Sequence, residues 1–131
     1  MSTIVLIVDD EPDVEMLFRQ QFRREMREGR YMLDFATSGE AALTKLTEHT
    51  GKSIILLLSD INMPGMSGLD LLPVVKQQRP ELPVFMISAY GDQATVATAL
   101  ARGANKFVTK PVDFPKLKQD VAVIAEQAGS T

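Results

Sequence analysis

Cysteine is absent from the 131 residues, histidine occurs once, and there is neither an excess of positive charge nor a long hydrophobic run. Without cysteine the chain has no disulfide framework, no thiolate metal site and no thiol nucleophile, which fits a reducing compartment. The lone histidine, His49, lies in the polar stretch TEHTG and is expected to be exposed. With 14 Lys and Arg against 17 Asp and Glu, the net charge is −3, so no domain-wide basic field exists and direct nucleic-acid binding is not expected. The N-terminus MSTIVLIVDD has no basic segment, and its apolar run stops at two aspartates, which predicts no leader peptide, no membrane span and a cytoplasmic location.

What is present is enough apolar material for one core. At 131 residues and 45% hydrophobic content, with no internal repeat, a single domain over residues 1–131 is expected, with 128–131 as a loose tail or the start of a linker. Ile4 to Val8 is a continuous β-branched run, the pattern of a strand covered on both faces. Pro12 suits a first helical turn, and Val14, Leu17, Phe18, Phe22 and Met26 share one face, predicting one long helix that ends near Gly29. A second strand over Met32 to Thr37, polar at Asp34, reads as a sheet edge. Ser38-Gly39-Glu40 leads into a short helix, which Gly51 closes.

Ile54 to Leu58 is the most apolar stretch and belongs at the sheet centre, with Ser59-Asp60 at its end. Turn formers fill Asn62 to Gly68, and a helix through Leu69, Leu72 and Val75 follows, in which Pro73 should weaken or bend the backbone. Pro83 to Ile87 is a fourth strand. Asp92 is placed to cap a fourth helix that Gly103 ends, Asn105 to Thr109 forms a fifth strand, and Asp113 caps a last helix through Phe114, Leu117, Val121 and Ile124. Five βα repeats imply an α/β fold with a parallel sheet, helices on both faces and right-handed crossovers.

Parallel strands deliver their carboxyl ends to one edge, so Asp9, Asp10, Asp60, Ser88 and Lys110 would converge there. Either Asp9 or Asp10 alone could be a helix cap, and Asp60 a satisfied turn residue. Three neighbouring carboxylates instead repel one another until a cation joins them, and Mg²⁺ is the hard ion suited to such oxygens. A carboxylate at the end of the most buried strand is placed to act as a nucleophile toward a phosphoryl group, with Lys110 and Ser88 binding its oxygens. Pro111 fixes the turn that carries Lys110, with a cis peptide as one way of aiming it.

The stretches VDDEP at 8–12, LSDINMPGMSGLDLL at 58–72, MISAY at 86–90 and GANKFVTKPVD at 103–113 resemble those of response-regulator receiver domains of two-component signalling. The resemblance implies a flavodoxin-like (βα)5 three-layer sandwich with a five-stranded parallel sheet of order 2-1-3-4-5. It implies that Asp60 is the phosphoacceptor, that Asp10 and Asp60 ligate Mg²⁺ with Asp9 helping through water and the Asn62 carbonyl coordinating, and that Lys110 and Ser88 hold the phosphoryl oxygens. Switching would run through Ser88, Ala89 and Phe107, where Phe107 replaces a frequent tyrosine and has no hydroxyl to bond in either state.

The family's output surface is the fourth helix, fifth strand and fifth helix, to which Thr95, Thr98, Arg102, Lys106 and Lys116 could add polar contacts. Asn62 and Tyr90 occupy positions that tune the lifetime of the phosphate. Implied partners are a histidine kinase or histidine phosphotransfer protein, a second copy of the chain, and an output domain in a longer protein. The implied role is signalling rather than metabolic catalysis, limited to self-phosphorylation and self-dephosphorylation. Two rival functions share this sequence pattern: a Mg²⁺-dependent phosphatase or phosphotransferase with an aspartyl nucleophile, which usually has a second aspartate where Asn62 stands, and a receiver-like interaction module independent of phosphorylation.

Overall fold

The computed structural model describes residues 3–48, 54–89 and 91–129. Five strands, β1 (Ile4–Val8), β2 (Met32–Ala36), β3 (Ile54–Asp60), β4 (Val84–Ser88) and β5 (Lys106–Thr109), form one sheet in the order β2-β1-β3-β4-β5. Every neighbouring pair is parallel. The flavodoxin-like order implied by the resemblance is therefore the order observed. β3 lies at the centre and all seven of its residues are buried, as its apolar composition requires of a strand covered on both faces.

Among the described residues the helices are α1 (Pro12–Gln21), α2 (Arg23–Arg27), α3 (Gly39–Glu48), α4 (Gly68–Gln78), α5 (Gln93–Ala101) and α6 (Phe114–Gly129). The alternation of side chains along β1 sends Leu6 and Val8 to one core, with Ala42 and Leu46 of α3, Leu71 and Val75 of α4 and Ala99 of α5. Val5 and Ile7 go to the other, with Phe18 of α1 and Leu117 and Val121 of α6. β3 breaks the alternation once. Its register against β1 slips between Ile4 and Val5, and the consecutive Ile55 and Leu56 both join the α1/α6 core. That is the signature of a bulge, in which one extra residue restores phase for the rest of the strand.

The long first helix expected from the sequence is two helices. At Phe22 the backbone leaves the helical region (φ −105°, ψ 15°) although Phe22 N still donates to Phe18 O at 2.9 Å and Met26 N to Phe22 O at 3.0 Å, so the chain bends without unravelling. The Phe22 ring, 1% exposed, stacks on Phe18 and meets Tyr31 and Phe114 edge-on, contacts that favour the bend over a straight continuation. Because of this extra helix, the expected fourth and fifth helices are α5 and α6.

α6 runs through Ala128, which the sequence reading leaves in the tail, and Ala128 packs against the α1/α6 core. Pro73 lies inside α4 without ending it. Asp92 caps α5 by accepting from Thr95 N at 3.1 Å, and Asp113 accepts from Lys116 N at 3.2 Å at the start of α6. His49, the closing Gly51, Tyr90 and residues 130–131 lie outside the described residues. No helix among the described residues is long and apolar enough to cross a membrane.

Candidate functional site

The sheet register assembles the site. Val8 pairs with Ser59, Asp60 with Ile87, and Ser88 with Thr109, so the residues that follow β1 and β5 stand beside the ends of β3 and β4. Backbone bonds fix these ends: Asp9 N to Ala36 O at 3.0 Å, Ile61 N to Ile87 O at 3.0 Å and Lys110 N to Ser88 O at 2.9 Å. Asp9, Asp10 and Asp60 each offer a carboxylate oxygen, and these oxygens lie within 4.8 Å of one another. Lys110 Nζ donates to Asp60 Oδ2 at 3.1 Å, and the backbone N of Asn62 donates to Asp60 Oδ1 at 3.1 Å. The Lys110–Pro111 peptide is cis.

Neither Asp9 nor Asp10 caps α1. The N-cap is Glu11, which makes no side-chain cap bond, and Asp9 Oδ1 instead accepts from Glu11 N at 2.9 Å. Asp60 is only 4% exposed and Ser88 is fully buried at the end of β4. Gly68 permits this packing, because a Cβ there would overlap the Asp60 carbonyl oxygen and reach 2.8 Å from Ile61 Cα. The start of α4 is thereby seated directly against the turn that carries Asp60, an approach open only to a residue without a side chain.

The electrostatics express a surplus of negative charge. Burial pushes Asp9 up to about 6, the charge of Asp60 adds to that, and the Glu11 amide and Lys110 oppose it. At Lys110 burial works against the charge, but the hydrogen bond and charge of Asp60, with Asp9 and Glu11, outweigh it and hold the ammonium above its ordinary value. Lys110 therefore stays protonated at neutral pH. Oxygen donors of this kind, crowded and partly desolvated, fit a small divalent cation that would relieve their repulsion.

Beside the carboxylates opens a pocket of about 300 Å³, walled by Val14, Leu17 and Phe18 of α1 and by Pro111, Val112 and Phe114 ahead of and within α6. The pocket arises where two helices distant in sequence pack on one sheet face, and no local motif reports that.

A family description, the response regulator receiver domain, matches residues 5–122. This chain belongs to the response regulator receiver family. It is 41% identical over 118 residues to the response regulator protein PilR of Pseudomonas aeruginosa, covering 89% of this chain and 25% of PilR. It is 35% identical to the nitrogen assimilation regulatory protein NtrX of Azorhizobium caulinodans, over 100% of this chain and 27% of that relative. The chain thus spans about a quarter of the length of these curated relatives. Among solved structures, the receiver domain of NtrX from Brucella abortus superposes with a TM-score of 0.79 at 32% identity, covering 93% of this chain and 98% of that one. The response regulator TrrA of Thermotoga maritima, described in complex with Mg²⁺ and BeF, gives 0.77 at 29% identity over 93% and 98% of the two chains.

On this receiver, the residues singled out for switching lie along the edge near β4 and β5. Ala89, after Ser88, is exposed, and Phe107 on β5 is half-buried against the α3/α4/α5 core. Several side chains assigned to an output surface are engaged within the chain. Thr95 Oγ1 donates to Asp92, Thr98 Oγ1 to Ala94 O, Arg102 to Leu69 O, and Lys106 pairs with Asp120 at 3.0 Å. Lys116 remains exposed.

Proposed function

We propose that this receiver is a phosphoacceptor switch in which Asp60 takes a phosphoryl group from the phosphohistidine of a histidine kinase or histidine phosphotransfer protein. A carboxylate oxygen of Asp60 forms the new O–P bond as the donor's N–P bond breaks, and the electron pair of that bond stays on the imidazole nitrogen. The observation that carries this reading is the single buried carboxylate at the centre of the sheet edge, with an ammonium at 3.1 Å and two further carboxylates beside it. An oxygen held this way is kept from water and pre-aimed, which replaces a chance encounter by a fixed one.

Lys110 keeps its proton and neutralises charge on the incoming phosphoryl oxygens, and Ser88 offers them a hydroxyl. Asp10, Asp60 and the Asn62 carbonyl, with Asp9 assisting, would hold Mg²⁺, which supplies charge to offset the repulsion between the two anions. TrrA, described in complex with Mg²⁺ and BeF, is a similar chain and supports the choice of ion. Catalysis in this reading is limited to the protein's own phosphorylation and dephosphorylation.

Phosphorylation draws Ser88 toward the phosphoryl group, opens space beside Ala89 and lets Phe107 turn inward. Phe107 has no hydroxyl, so burial alone favours its inward state. The two states differ at the α5–β5–α6 face, where a second copy, a partner or an output domain of a longer chain would respond to the change in population. The protein acts as one receiver unit in the cytoplasm.

The test is incubation with acetyl phosphate and Mg²⁺, followed by intact mass. One labile phosphoryl adduct is expected on the wild-type protein, absent in Asp60→Asn and absent in EDTA. An adduct that persists in Asp60→Asn would overturn the assignment of the acceptor. Steady turnover of unrelated phosphate esters would favour a phosphatase, and an unmodified protein whose partner response survives Asp60→Asn would favour a scaffold.

A further inference from the structure

Pro73 has no N–H, so the carbonyl of Leu69, four residues earlier in α4, cannot receive its helical hydrogen bond, and the proline ring also crowds that carbonyl. The missing donor comes from another helix. Arg102, the residue that caps the C-terminus of α5, donates Nη1 to Leu69 O at 2.8 Å and stands 3.7 Å from the Asp70 carboxylate. Just beyond α5, Lys76 of α4 also donates to Asn105 Oδ1 at 2.9 Å, while α5 itself buries little. Ala99 is its one buried residue, while Leu100 is 50% exposed, and the chain leaves the helix at once through Gly103 at φ 109°. The bond is charge-assisted and lies at the surface, so its main effect is to tie two helices together at a carbonyl that receives no N–H from Pro73.

We infer that Arg102 is a positioning residue that pins the C-terminal end of α5 to α4 through the carbonyl stranded by Pro73. The N-terminal end of α5, which follows the Ser88-Ala89 loop, is closed by a local cap, Asp92 bonding Thr95 within the same turn. With one end pinned, α5 responds to events at Ser88 as a lever about Arg102, not by lifting away as a body. That consequence rests on the phosphoacceptor reading, whereas the pin does not.

The test is a double-mutant cycle of wild type, Arg102→Ala, Pro73→Ala and the double variant, read by urea unfolding and by amide hydrogen exchange, without ligand and with Mg²⁺ and beryllofluoride. With proline at position 73, Arg102→Ala should raise the unfolding equilibrium constant about five-fold, the loss of roughly one hydrogen bond. In the Pro73→Ala background the cost should nearly vanish, since the new N–H serves the Leu69 carbonyl. Exchange over 93–101 should likewise be faster in Arg102→Ala than in wild type, by a margin that shrinks in the Pro73→Ala background. A strictly additive cycle, or α5 exchange unchanged by Arg102→Ala, would overturn the pin. Beryllofluoride should alter exchange at the N-terminal turn of α5 in wild type and along its whole length in Arg102→Ala, and identical patterns would overturn the lever. If beryllofluoride alters nothing in wild type, the phosphoacceptor reading and the lever both fall, while the cycle still decides the pin.

Discussion

Asp9 is the residue at which the cost of the site is most visible. Its pKa lies near 6 in the folded chain against an ordinary 3.8, so the proton is bound more tightly in the folded state. The stability that this contributes is fully present below about 3.8 and is lost as pH rises through about 6. Asp9→Asn removes both the buried charge and its repulsion with Asp60 while keeping an oxygen for the Glu11 amide. In EDTA the variant should therefore melt above wild type at pH 7.5, by a margin that shrinks toward pH 4. Mg²⁺ should stabilise wild type more than the variant, and its affinity for wild type should fall as pH drops through 6. A variant that melts lower than wild type in EDTA at pH 7.5 would contradict this account. The residues of the site are legible in the sequence because strand ends announce themselves as apolar runs that stop at Asp9-Asp10, Asp60, Ser88 and Lys110. The role of Arg102 is not, since the stranded carbonyl it serves belongs to a helix 33 residues away.

Two elements set the geometry around those residues. The start of α4 sits against the Asp60 turn only because Gly68 has no Cβ, and Gly68→Ala must move backbone atoms that nothing flexible can yield. A loss of about 2 kcal/mol in chemical unfolding is expected, the scale of overpacking, together with slower uptake of phosphoryl groups from acetyl phosphate. Wild-type stability in the alanine variant would show that the turn has room. The α1–α2 bend depends on the Phe22 ring among Phe18, Tyr31 and Phe114, and Phe22→Ala should cost about 4 kcal/mol. A loss below about 1 kcal/mol, the scale of a surface change, would mean that the ring does not hold the bend. The helical period places Val14, Phe18, Phe22 and Met26 correctly, whereas Leu17, expected on the same face, is 42% exposed. It misses the bend because the spacing of apolar residues is the same on either side of Phe22 and only tertiary contacts distinguish a kinked helix from a straight one. The β3 bulge escapes for a similar reason: in a run where every residue is buried, no polar position marks the phase.

Over the whole molecule, five repeats of strand and helix dictate a parallel sheet with two covered faces, and the packing divides the core accordingly. The order of the strands follows from the family resemblance and not from the pattern, since alternation alone does not say which edge each crossover reaches. The same fold joins the carboxylate edge to the α5–β5–α6 face through β4 and β5, which carry Ser88 and Phe107. In the proposed switch, charge at Asp60 is transmitted along that path, and amide chemical shifts of the wild-type protein and Asp60→Asn, recorded while beryllofluoride is titrated with Mg²⁺ present, decide whether it is. Saturable shifts that include Phe107 and α5 in wild type, and vanish in Asp60→Asn or in EDTA, are the predicted result. Shifts confined to the carboxylates and Lys110, or equal shifts in Asp60→Asn, would contradict it.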